Sequence, residues 1–132
     1  MIVDASAVLA ILLDEPEAPG FAAAIAAAGQ SSISPVNYLE AAIVMDRARD
    51  PVVSRRFDQF IETAGISIAA IDDAQARIAR AAYRDFGRGS AHPAGLNLGD
   101  CFAYALSRSL GEPLLYKGND FLHTDVTPAA LP

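Results

Sequence analysis

Apolar and polar positions along this chain fall into blocks that read as strand, helix, strand, helix. Met1-Ile2-Val3 is a short apolar run closed by Asp4, the pattern of a buried strand. From Ala5 to Leu13 the apolar residues continue without alternation, as in a helix packed on a sheet, until Asp14, Glu15 and Pro16 stop it. Phe21 to Ala28 predicts an Ala-rich helix closed by Gly29. Ser31 to Ser34 predicts a second strand, and Ser34-Pro35 is the favoured order of an N-cap and first helical residue. That helix is expected to carry Val36, Leu39, Ala42 and Ile43 on one inward face and to run to about Arg49. Asp50-Pro51 repeats the start signal for a helix with Val53, Phe57, Phe60 and Ile61, ending at Gly65.

Ile66 to Ile71 alternates apolar and small residues and predicts a third strand. Asp72 caps a helix with Ala74, Ile78, Ala81 and Ala82 inward, ending near Phe86-Gly87. Arg88 to Leu96, rich in Gly, Pro, Ser and His, reads as a loop. A helix then opens at Asn97 or Leu98 and closes at Gly111. Pro113 to Tyr116 is the fourth strand, Lys117 to Asp120 the turn after it, and Val126 falls in a possible last edge strand. Strands alternating with helices imply right-handed βαβ crossovers and an α/β fold whose parallel sheet is covered on both faces.

Composition narrows the class. The 132 residues fit a single domain, 1–132, and the apolar fraction of 52% supports a real core. Twenty-seven alanines favour closely packed helices. One cysteine, Cys101, excludes an intrachain disulfide and a CxxC zinc cage, and is compatible with a reducing cytoplasm. No apolar run is long enough to span a membrane, and Asp4 in the apolar start is unlike a signal peptide. A net charge of −6 argues against a general polyanion binder, although nine of the ten basic residues are Arg, which suits bidentate phosphate contacts.

Position selects among the sixteen acids. Ligands of parallel sheets bind beyond the carboxyl ends of the strands. Asp4 ends the first strand, Glu40 lies in the early turns of the helix after the second, and Asp120 follows the fourth. Asp100, in the first turn of the helix before the fourth strand, reaches the same edge if the Arg88–Leu96 loop returns the chain there. Four carboxylates in one cleft repel strongly, about 4 kcal/mol for two unit charges ~4 Å apart at an effective dielectric of 20. A hard divalent cation removes the conflict, and an all-oxygen site selects Mg²⁺ or Mn²⁺. Ser6 can orient water or phosphate at such a site, or cap the first helix. Cys101 reads as a buried apolar residue, and His92 and His123 as solvated loop residues. Arg47, Arg49, Arg55 and Arg56 read as a solvated basic face.

The stretches Met1-Ile-Val-Asp-Ala-Ser-Ala, Tyr38-Leu-Glu-Ala, Leu96-Asn-Leu-Gly-Asp-Cys-Phe-Ala-Tyr-Ala and Leu114-Leu-Tyr-Lys-Gly-Asn-Asp-Phe resemble the VapC-type PIN-domain toxins over nearly the whole chain. The resemblance implies a three-layer α/β/α sandwich with a central parallel sheet, commonly assembled as a homodimer. It also implies an Mg²⁺-dependent ribonuclease held inactive by a cognate VapB-type antitoxin. The family's acidic site falls on Asp4, Glu40, Asp100 and Asp120, and Ser6 matches the small polar residue that follows the first Asp. On this reading Asp4, Asp100 and Asp120 hold Mg²⁺ or Mn²⁺, Glu40 completes the shell or positions the attacking water, and single-stranded or looped RNA is cut to a 5′-phosphate and a 3′-hydroxyl.

Three other readings compete. A phosphoacceptor receiver module matches the length, the alternation and a Lys after a late strand (Lys117), but wants an early acidic pair and an Asp closing the third strand. A haloacid-dehalogenase-like phosphatase wants an acid where Ser6 stands. A catalytically silent PIN domain that only binds a partner has no need of an intact acid quartet.

Overall fold

A computed structural model describes residues 1–132. Strands β1 (Ile2–Val3), β2 (Ser31–Ile33), β3 (Ile66–Ile68) and β4 (Leu114–Leu115) form one parallel sheet in the order β3-β2-β1-β4. Six helices connect and cover them: α1 (Ala5–Leu12), α2 (Ala18–Ala28), α3 (Pro35–Asp46), α4 (Pro51–Thr63), α5 (Asp73–Phe86) and α6 (Leu98–Leu110). A 3₁₀ helix, Asp120–His123, follows β4.

The pleat sends successive residues of each strand to opposite faces, and two cores result. Val3, Ile33, Ile66 and Leu115 join Val8, Phe21, Met45 and Phe57 beneath α1–α4. Ile2 and Leu114 join Ala79, Ala82, Leu96, Ala103 and Leu106 beneath α5 and α6. The layering is α/β/α, as the resemblance implied. Winding from β1 through β2 to β3 and then back across to β4 makes the gap between β1 and β4 a topological switch point, where parallel sheets open a crevice.

Local signals place most helix starts. Asp50 and Asp72 accept from the backbone N–H groups of Val52 and Gln75, and Asn97 with Asp100 forms a complete capping box on α6. Three expectations need correction. The inward face of α3 is rotated from the predicted one: Leu39 and Ile43 are exposed, while Asn37, Ala41, Ala42 and Met45 are buried. In α5, Ala74 is exposed and Gln75 faces inward, where its amide donates to the Ala70 carbonyl, because Asp72 fixes the start of the helix and Ala79 and Ala82 set its buried side. His92 is half-buried rather than a solvated loop residue. Its Nδ1 accepts from Ala94 N–H at 3.2 Å, and its ring packs edge-on against Phe86.

Several boundaries also move: β3 ends at Ile68 rather than Ile71, and α3 ends at Asp46 rather than about Arg49. Helix α2 starts at Ala18, before the expected Phe21, because Pro19 suits a first turn. The edge contact placed at Val126 falls instead at Pro128, which bridges Leu114 while Val126 is buried.

Candidate metal centre

Asp4 leaves the end of β1 directly into α1 and is 5% exposed. Its carboxylate caps α1 by accepting from Ser6 N–H at 2.9 Å, and Ser6 Oγ donates to the same oxygen at 2.5 Å. Asp4 rather than Ser6 is therefore the cap. Ser6 is a bridge: its Oγ also accepts from Lys117 N–H at 3.0 Å, fastening the start of α1 to the end of β4. The turn held in this way leads into Asp120, which is exposed.

Glu40 sits one turn after Asn37 on α3, and Asp100 sits in the first turn of α6. A bridge between Gly87 and Leu96 closes the long loop before α6 and brings that helix start to the carboxyl edge. Asp4, Glu40 and Asp100 each feel neighbouring acids there. Burial pushes the Asp4 carboxyl up, opposed by its bonds to Ser6, and the Asp120 charge pushes it further. Burial and then the Asp4 charge raise Glu40. Asp100 is pushed up to about 6, mainly by burial, with the charges of Asp4, Asp120 and Glu40 adding to it.

No Arg or Lys pairs with any of the four; the ion pairs of the chain lie elsewhere. With the side chains as they stand, no three acids close around a common point as a finished ion shell. The donor set still fits a hard divalent cation, because it is all oxygen, crowded, partly desolvated and without a cationic partner.

Reasoning from the sequence missed Asn37. This residue has no solvent exposure, and its Nδ2 donates to Asp4 Oδ1 at 3.1 Å and Glu40 Oε2 at 3.2 Å. The available signal was a polar side chain three residues before Glu40, which places the two on one helical face. The other singled-out residues lie outside the cluster. Cys101 is buried among apolar neighbours, as expected, and its thiol is pushed up to about 11 by burial and the Asp100 charge. Arg47, Arg49, Arg55 and Arg56 are exposed. The largest concavity, about 700 Å³, lies between α3 and α4 against Arg49 and Arg55 and includes none of the four acids.

The receiver reading fails on geometry. Asp72 is the cap of α5, Asp73 pairs with Arg77 at 2.8 Å, and Lys117 is tied to Glu15 at 2.6 Å and Glu17 at 3.0 Å. None of these is free for a phosphoacceptor site.

The family model described as PIN domain matches residues 1–126. Ribonuclease VapC28 of Mycobacterium tuberculosis is 56% identical over 129 residues, covering 98% of this chain and 97% of that protein. Ribonuclease VapC42 of the same species is 48% identical over 129 residues, covering 98% of each. Among solved structures, Mycobacterium tuberculosis VapC20, a sarcin-ricin loop cleaving toxin, superposes with a TM-score of 0.72 at 12% identity, covering 99% of this chain and 98% of that one.

Proposed function

Because the chain belongs to the PIN-domain family, in its VapC ribonuclease branch, we propose that Asp4, Glu40, Asp100 and Asp120 form the catalytic site of an Mg²⁺-dependent endoribonuclease toxin. The observation that carries this reading is the gathering of four carboxylates without a cationic partner at the β1/β4 switch point. Asp4, Asp100 and Asp120 would hold Mg²⁺, with Mn²⁺ able to replace it. The chemistry such an ion supplies is neutralisation of phosphoryl charge and acidification of water.

The chain's own groups do the rest. Ser6 and Asn37 orient the two oxygens of Asp4 by donating one to each. Glu40, half-buried with its carboxyl raised, accepts a proton from the attacking water at a carboxylate oxygen. The water oxygen bonds to phosphorus as the bond to the 3′ oxygen breaks, and the departing oxygen takes a proton from solvent, leaving a 5′-phosphate and a 3′-hydroxyl while Glu40 returns its proton to solvent. Single-stranded or looped RNA suits an acidic protein, because its exposed bases can be read with few phosphate contacts.

A VapB-type antitoxin is the expected partner, since an uncompensated acidic site accepts an Arg from another chain. Exposed apolar side chains such as Leu39, Val52, Leu98 and Leu110 support a homodimer, and the setting is the cytoplasm.

The test is Asp4→Asn, which keeps the cap and the volume. Cleavage of a looped RNA is expected to fall by about 10²–10³, as for loss of one preorganised electrostatic group. EDTA should abolish wild-type cleavage, and Mg²⁺ should restore it. Undiminished cleavage by the folded variant, or in excess EDTA, would refute the assignment.

A further inference from the structure

Asn37 is a polar side chain with no solvent exposure, yet its Oδ1 has no hydrogen-bond partner. A buried acceptor left unpaired is destabilising, so the residue is kept for something other than that oxygen. What the residue provides is its amide nitrogen. Nδ2 donates to Asp4 Oδ1 at 3.1 Å, to Glu40 Oε2 at 3.2 Å and to the Gly99 carbonyl at 3.0 Å. Two hydrogens serve three acceptors drawn from the end of β1, from α3 and from the start of α6. Turning the amide over would set Oδ1 against two carboxylate oxygens, so charge fixes its orientation.

Gly99 supplies the second half of the arrangement. It lies in the first turn of α6, where no left-handed backbone calls for glycine. The reason for its missing side chain is space: a Cβ there would stand 2.2 Å from both carboxylate oxygens of Glu40. The Glu40 carboxylate therefore occupies the place of a side chain at position 99, immediately beside Asp100.

We propose that Asn37 and Gly99 are positioning residues, a donor and a vacancy that together seat the Glu40 carboxylate next to Asp4 and Asp100. The inference rests on the function proposed above and assigns two residues that take no part in holding the ion. Asn37 sets the Asp4–Glu40 separation through one nitrogen. Gly99 lets α6 approach closely enough for Asp100 to share their site.

The test uses Gly99→Ala and Asn37→Leu in the full chain, with three readouts: Mn²⁺ binding by electron paramagnetic resonance without RNA, kcat and KM for RNA cleavage, and Tm in EDTA. Alanine is a better helix former than glycine, so Gly99→Ala should hold its Tm in EDTA, whereas Asn37→Leu, bulkier and leaving the Gly99 carbonyl and a buried Asp4 oxygen without their donor, should lower it. Mn²⁺ affinity or kcat should nonetheless fall by about 10–100-fold, the usual loss when a residue that orients ligands is removed, with KM for RNA unchanged. Wild-type Mn²⁺ affinity and kcat in folded Gly99→Ala would overturn the proposal even if Asn37→Leu failed to fold. Metal-independent cleavage by the wild type would instead overturn the function beneath it, and this inference with it.

Discussion

Removing one charge from the site should stabilise the metal-free protein at neutral pH. Asp100 is the place to do it, because its carboxyl is pushed from 3.8 to about 6 by burial and by three neighbouring acids. A folded-state pKa raised above the unfolded value means that the native state binds the proton more tightly than the unfolded chain. The stability Asp100 contributes is therefore full below about 3.8 and lost as pH rises through about 6. A shift of about 2 units at ~1.4 kcal/mol each gives on the order of 3 kcal/mol, which partial exposure screens to about 1–2 kcal/mol. Burial acts in the same direction on Asp4 and Glu40.

Asp100→Asn keeps an oxygen able to accept from Asn97 N–H, so the capping box survives the change. In EDTA at pH 7.5 the variant should melt about 4–8 °C above wild type, taking ~4 °C per kcal/mol for a domain of this size. The gap should narrow as the pH is lowered from 7.5 to 4.5, because wild type recovers the lost stability by protonation. Saturating Mg²⁺ at pH 7.5 should raise wild type by roughly 2.7 kcal/mol at a hundred times its Kd and leave the variant nearly unmoved. Differential scanning fluorimetry over this pH range reads all three effects. A variant no more stable than wild type at pH 7.5, or a gap independent of pH, would refute the picture of crowded, uncompensated carboxylates.

Three further outcomes are expected. Ser6→Ala removes the bond to Asp4 and the bond from Lys117 N–H, so it should lower metal affinity or kcat by about 10–100-fold while circular dichroism stays unchanged; wild-type activity in that variant would refute the bridge. Light scattering at micromolar concentration should give the mass of a dimer, and co-expression with the adjacent reading frame should yield a stable complex without ribonuclease activity. A monomer would contradict the assembly, and an active complex the inhibition.

Much of this protein was legible in its sequence because the signals are local. A cap or a proline acts on the turn it begins, so Asp72, Asn97 and the Pro51 start predict α5, α6 and α4 with no knowledge of the fold. The blocks of apolar residues give the α/β class, and acids at the end of β1, in the early turns of α3, in the first turn of α6 and in the turn after β4 are visible as positions along the chain. Asp4, Glu40, Asp100 and Asp120 could be selected in this way.

Only tertiary structure decided how those positions meet. The strand order β3-β2-β1-β4, which puts the ends of β1 and β4 side by side, depends on crossovers that leave no mark on short apolar strands. The face that α3 turns inward was misjudged because Leu39 and Ile43 are as apolar as any core residue, and hydrophobicity alone cannot say which stripe a packed helix buries. Its packing against α1, α4 and α6 settles the matter and carries Asn37 inside. The bonds from Asn37 to Gly99 and from Lys117 to Ser6 span 62 and 111 residues. Each is a meeting of ordinary side chains and backbone groups that acquires a role only when distant segments are brought within hydrogen-bond reach.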